Sequence, residues 1–228
     1  MKKATALLML AVFLAGGIFS AAAFAAPGKR PQGEALAAIP KGELTENDVQ
    51  GLLLMREEEK LAMDLYRELG AKWGIRTFTR IAESEQQHTG SVKLLIDRYG
   101  LPDPSEGKKA GKFSSPELQK LYDELLEQGS RSRIDALKAG ALVEELDIMD
   151  LRKAIEETKN EDLRMVFSNL ERGSMNHLGA FGRQLSRENV RYEARHMSQE
   201  EADSIMNSGS VQGSGRNRES APGGRWRN

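Results

Sequence analysis

Between about residue 45 and residue 185, apolar side chains recur at steps of three and four, the period of helices that bury one face. The first stripe is Met55, Glu59, Ala62, Tyr66, Leu69 and Trp73, and the second is Phe78, Ile81, Glu85, His88, Val92, Leu95 and Tyr99. A third reads Leu137, Ala141, Glu144, Ile148, Leu151 and Ile155, and a fourth Leu163, Phe167, Leu170, Ser174, His177 and Phe181. Each seam is apolar except near its middle.

Local signals bound these helices. Thr45 with Asp48 three residues on has the form of a capping box, so the first helix runs to about Lys72, before Gly74. The second spans about Thr77 to Tyr99 and stops at Gly100-Leu101-Pro102, where glycine takes the left-handed cap and proline cannot continue. Ser115-Pro116-Glu117 opens a short helix that ends near Gly129. The third long helix covers about Arg131 to Thr158, and Asn160 caps a fourth from Glu161 to about Leu185. No run of alternating β-branched residues suggests a strand. The pattern predicts an all-α domain of two helical hairpins. Their connection of roughly thirty residues is a crossover carrying its own short helix, and it lets the second and third long helices run parallel.

The ends of the chain read differently. Met1, Lys2 and Lys3 precede a mostly apolar, uncharged stretch from Ala4 to Ser20, and Ala23-Phe24-Ala25 is a small-x-small cleavage pattern. Residues 1–25 are therefore expected to be a secretory signal peptide, leaving no stable membrane span in the mature chain. The exported protein would be periplasmic or extracellular. Residues 26–44 contain three prolines and read as a linker; from 186 to 228 the chain is expected to be a polar, largely disordered tail. Within that tail Arg225, Trp226 and Arg227 form a basic aromatic terminus, and His196 is expected to face solvent.

Composition sharpens the chemistry. There is no cysteine, which excludes disulfides, thiolate metal sites and thiol nucleophiles together. Lys and Arg number 33 against 34 Asp and Glu, so there is no global attraction for nucleic acid or anionic lipid. Three His leave carboxylates as the main metal donors. Several carboxylates nevertheless fall on apolar stripes, where burial without compensation costs several kcal/mol per ion. Arg56, Lys60, Arg152 and Arg172 lie off those stripes. A bound metal is the economical counter-charge. Glu85 and His88 lie on one helix face about 60° apart, so both can reach one ion. Carboxylate with imidazole and no thiolate favours Fe, with Mn or Zn as alternatives.

The spacing of Glu59, Ala62 and Tyr66, with Glu85-Gln86-Gln87-His88, resembles the first half-site of the ferritin-like superfamily. The longer text from Arg56 through Tyr99-Gly100-Leu101-Pro102-Asp103-Pro104 to Gly173-Ser174-Met175-Asn176-His177-Leu178 resembles one ferritin-like family of unknown function, over about residues 45–185. The resemblance implies a ferritin-like four-helix bundle around a carboxylate-bridged pair of metal ions. It implies Glu59, Glu85 and His88 as the first half-site, with Glu144 and His177 on the third and fourth helices. It also exposes a departure, because Ser174 stands where the superfamily has a fourth carboxylate. Asp147 or Glu171 could substitute; otherwise the site holds one tight metal or an asymmetric pair. Tyr66, two turns from Glu59, could hydrogen-bond a ligand.

Simpler readings stand beside these. Glu85 and His88 could be a surface pair, His177 a core histidine bonded to Glu144 or Ser174, and Glu57 with Glu58 a solvated cluster, although Glu58 shares a stripe with Leu54, Leu61 and Leu65. The leading expectation is an exported iron-binding protein, with a single or di-iron centre and oxidant-dependent redox activity. The alternative is a non-catalytic metal-binding or structural helical-bundle interaction module. Oligomer formation is compatible with either.

Overall fold

A computed structural model describes residues 32–208. The expected signal peptide, the start of the expected linker and Arg225-Trp226-Arg227 lie outside the described residues. All regular structure within them is helical: α1 (Gln32–Ala37), α2 (Glu46–Trp73), α3 (Arg76–Tyr99), α4 (Pro116–Gly129), α5 (Arg133–Glu157), α6 (Glu161–Arg187) and α7 (Gln199–Asn207). None is long and apolar enough to cross a membrane.

The caps explain most of the boundaries. Thr45 accepts from the Asp48 amide while the Asp48 carboxylate accepts from the Thr45 amide, so two otherwise unpaired donors of α2 are satisfied reciprocally. Gly74 and Gly100 end α2 and α3 in the left-handed region, with φ of 62° and 69°. Ser115 caps α4 with Pro116 in its first turn, and Ser132 caps α5. Asn160 occupies the cap position of α6 but does not cap with its side chain. Its amide reaches the Glu43 carbonyl and Asp48 instead, tying the start of α6 to the start of α2.

Short turns make α2–α3 and α5–α6 helical hairpins, and α2 also packs on α5 and α3 on α6. The Tyr66 hydroxyl lies 3.2 Å from the Gly140 carbonyl, and Gly51 lies against Ala154, so α2 and α5 run antiparallel. Tyr99 donates to Asp162 at one end of the α3–α6 pair, and Phe78 meets Phe181 at the other with ring centroids 5.0 Å apart. The long helices α3 and α5 are therefore parallel, as a crossover over 100–132 requires.

That crossover lies on α2 and α5 through α4. It is anchored on a polar strip of α2. Arg56 grips Asp103 through two nitrogens, Glu57 accepts the amides of Ser114 and Ser115, Lys60 donates to the Lys109 carbonyl, and Asp64 accepts the Gly111 amide. The expectation of a solvated Glu57–Glu58 cluster is thus corrected: both are buried beneath this cover.

Two further expectations are corrected at the ends. Part of the linker forms α1, whose Leu36 enters the core while Arg98 donates to the Leu36 and Ile39 carbonyls. Beyond 186 the chain stays folded as far as α7, which buries Ala202, Ile205 and Met206, the last against Gly182 of α6. The connecting segment is held by Glu145, fully buried on α5. Its carboxylate accepts the Tyr192 hydroxyl and the amides of Arg195, His196 and Met197. The His196 side chain itself is exposed.

The core divides into two apolar clusters. One gathers Leu61, Leu65, Tyr66 and Leu69 of α2 with Phe78, Leu137, Ile148 and Phe181; the other gathers Leu52, Met55, Val92, Leu95, Leu151, Phe167 and Leu170. Between them, at mid-height, each long helix presents polar side chains.

Candidate metal centre

Four helices supply this polar layer. Glu59 comes from α2, Glu85 and His88 from α3, Glu144 and Asp147 from α5, and Ser174 and His177 from α6, all at positions where the helical stripe faces the bundle interior. Glu59, Glu85 and Glu144 are at most 1% exposed. The surface-pair reading of Glu85 and His88 fails on this burial.

Glu85 is the hub. Its Oε2 lies 2.7 Å from His88 Nδ1 and its Oε1 lies 2.7 Å from His177 Nδ1, so each oxygen faces a different imidazole. Glu59 approaches the same His88 nitrogen at 3.3 Å, and Glu144 approaches the same His177 nitrogen at 3.5 Å. The two rings stack with centroids 5.3 Å apart. These atoms are close, yet both oxygens of Glu85, both of Glu59, Oε2 of Glu144 and both Nδ1 atoms lack an aligned hydrogen-bond partner. Such convergence without pairing suits a shared guest better than a finished network.

The distances support this. Donor atoms around one first-row ion, at about 2.0–2.2 Å, lie roughly 3 Å from each other. Glu85, His88 and His177 each offer an atom within 4.8 Å of the others, a group able to hold a metal ion.

Charge is strongly redistributed here. Burial alone would raise the Glu85 carboxyl, but the facing His177 and His88 outweigh it and hold it well below the usual range. Burial lifts Glu59 to about 7 against the pull of His88, and burial with the Glu85 charge raises Glu144. Desolvation disfavours charge on both imidazoles, but Glu59 and Glu85 push His88 well above its ordinary value, and Glu85 with Glu144 push His177 up to about 10. Asp147 is raised well above its ordinary value by burial and by Glu59, Glu58, Glu144 and Glu85. Without an ion, protons are the counter-charges of this layer. Among the described residues no lysine or arginine ion-pairs with this layer: Arg56 pairs with Asp103, Lys60 with Asp64, and Arg152 with Glu171 and Glu201, while Arg172 bonds Asn169.

The remaining sequence candidates separate clearly. Tyr66 donates to Glu144 Oε1 at 2.7 Å and orients that carboxylate, as its position two turns beyond Glu59 suggested. Ser174 is buried and donates back to the Leu170 carbonyl, so it offers the layer little. Glu171 is turned away into its ion pair with Arg152, which corrects its candidacy as the fourth carboxylate. Asp147 points inward and leaves Oδ2 unpartnered.

One contributor escaped the sequence reading. A Cβ on Gly173 would stand 2.5 Å from His88 Cε1, so glycine is what lets the imidazole lie against α6. The signal was present as an isolated glycine inside a helix. Glu58, already marked by its stripe with Leu54, Leu61 and Leu65, is buried beside Asp150 and Glu59.

Comparison with known proteins places this site in a family. The domain family described as "Uncharacterized protein domain (DUF2202)" matches residues 48–209. The chain belongs to that family. It is 44% identical over 183 residues to "Uncharacterized protein MJ0754" of Methanocaldococcus jannaschii, covering 80% of this chain and 99% of that protein. The crystal structure of MJ0754 from Methanococcus jannaschii DSM 2661 matches with a TM-score of 0.74 at 45% identity, covering 76% of this chain and 99% of the other. The DUF2202 match takes in every residue of the polar layer and extends through α7.

Proposed function

We propose that this DUF2202 protein is a ferritin-like metal-binding protein whose carboxylate and histidine layer holds iron. The observation that carries the reading is the convergence of Glu85, His88 Nδ1 and His177 Nδ1 without aligned hydrogen bonds. The ferritin-like assignment draws support from two antiparallel hairpins joined by a crossover, and from Glu on α2, Glu-x-x-His on α3, Glu on α5 and His on α6.

In this reading Glu85, His88 and His177 would hold the metal, with Glu59 beside His88 and Glu144 beside His177 as further donors. Iron bound there would supply the electrons for reducing oxygen or peroxide. The protein's part is to fix the donors. Tyr66 holds Glu144 by hydrogen bond, Gly173 lets His88 approach, and the apolar clusters above and below keep the layer dry. Mn and Zn are compatible with the same donors. We also propose export and removal of that segment, on the strength of the first 25 residues alone.

Ser174 favours a second reading, a non-catalytic metal-binding module, because a fourth carboxylate is missing at that position. Anaerobic Fe(II) titration followed by exposure to air separates the two. Saturable binding followed by near-ultraviolet ferric absorption, both lost in Glu85→Gln, supports the redox centre. Binding without a spectral change in air supports the module, and no binding at all overturns both.

A further inference from the structure

A cavity of about 250 Å³ opens where the first turns of α2 meet the last turns of α5. Met55 and Phe167, both buried, form its base; Leu54, Lys153 and Glu157 are exposed around it, and Asp150 is half-buried between. Helical spacing sets this cavity one turn from the polar layer. Met55 precedes Glu59 by four residues, Leu54 precedes Glu58 by four, and Asp150 follows Asp147 by three. Carboxyls connect the two places. Asp150 shares a hydrogen bond with Glu58, and Glu58 and Asp147 line one gap of about 10 Å³. Asp147 in turn lies within electrostatic reach of Glu59 and Glu144. It is 3% exposed, and its Oδ2 has no hydrogen-bond partner. The gap holds one water and no hydration shell, so it suits passage rather than storage of an ion. The histidine side leads elsewhere. The side chains of His88 and His177 are 14% and 11% exposed, but both turn Nδ1 inward, and the Cε1–Nε2 edge of His88 lies against Gly173. Solvent there meets the backs of the rings.

We propose that Asp150, Glu58 and Asp147 form the loading route along which a divalent cation passes from this cavity to the histidine-containing layer. The proposal rests on the metal-centre reading above. Each carboxylate oxygen replaces a water that the ion sheds, so the ion is never left among apolar walls alone. Passage through the gap requires the Glu58 and Asp147 side chains to turn about their χ angles, a fast motion beside metal loading. Asp150 and Glu157 raise the local concentration of cations at the mouth, and Lys153 opposes them.

The test is stopped-flow loading of the full, metal-free chain with Co²⁺, followed by its visible absorbance, with release measured on adding excess chelator. Asp150→Asn is expected to slow loading at least about tenfold. Release slows by the same factor and the equilibrium affinity is unchanged, because a group met only on the way acts alike in both directions. Lys153→Gln is expected to speed loading, and added salt to slow the wild type more than Asp150→Asn. Saturable Co²⁺ binding by the wild type, with Asp150→Asn loading at the wild-type rate, overturns the route and leaves the centre standing. Weakened affinity in Asp150→Asn at an unchanged loading rate also overturns it, since Asp150 would then be holding the ion. A wild-type chain that binds no Co²⁺ overturns the centre and the route together. If circular dichroism shows Asp150→Asn unfolded, Lys153→Gln decides: faster loading supports the route, and an unchanged rate overturns it.

Discussion

Glu85 shows how one side chain organises the centre. A single buried carboxylate meets two imidazoles, one on its own helix and one on α6, and its burial would be prohibitive without them. The imidazoles are positioned by packing as well as charge. His88 rests where α6 has no side chain, so Gly173→Ala would drive a methyl group into its ring. The expected outcome is metal affinity lowered about 10- to 100-fold with helix content retained, measured by Fe(II) or Co²⁺ titration alongside circular dichroism. Helical spacing made Glu59, Glu85, His88, Glu144 and His177 legible in the sequence, because all five fall on apolar stripes. Glu58 was legible only in part, since the cover that buries it comes from α4, about sixty residues further along the chain.

The elements were legible where the chain carries its own stop signals. Thr45, Gly74, Gly100, Ser115 and Pro116 fix helix ends by local chemistry, which needs no knowledge of the partner surface. What stayed hidden depends on long-range partners. Arg56, Glu57, Lys60 and Asp64 look like a solvated face of α2 and are instead the strip on which the crossover docks. This docking carries a pH dependence. Burial would raise Asp103, but hydrogen bonds from Arg56 and the Ser105 amide, with the charges of Arg56 and Lys93, hold it below its ordinary value. A depressed carboxyl stabilises the fold above the ordinary aspartate range of about 4 and loses that contribution as pH falls through its folded value. Hydrogen-exchange protection over residues 100–115 should therefore decline below that range, and Asp103→Asn should remove the dependence.

At the scale of the whole molecule, the C-terminal segment closes the fold through one buried acid. The segment that ends in α7 reads as tail in the sequence, because the contact that fastens it runs from the Glu145 side chain to the backbone amides of 195–197. No sequence period encodes such a contact. Glu145→Ala leaves those amides and the Tyr192 hydroxyl unpaired at an expected cost of about 3 kcal/mol. Limited proteolysis should then cut between α6 and α7 while the four long helices persist. The metal acts at the same scale, since a ion bound only by the folded chain raises its melting temperature, and a chelator should reverse that rise. The most direct test of the central claim is equilibrium dialysis of the chelator-stripped protein against Fe(II) under nitrogen, with bound metal quantified by elemental analysis. The account predicts stoichiometric iron on the wild-type chain and its loss, or at least about a hundredfold weaker retention, in Glu85→Gln and His88→Ala/His177→Ala. A wild-type chain that retains no iron, or variants that retain as much as the wild type, would contradict it.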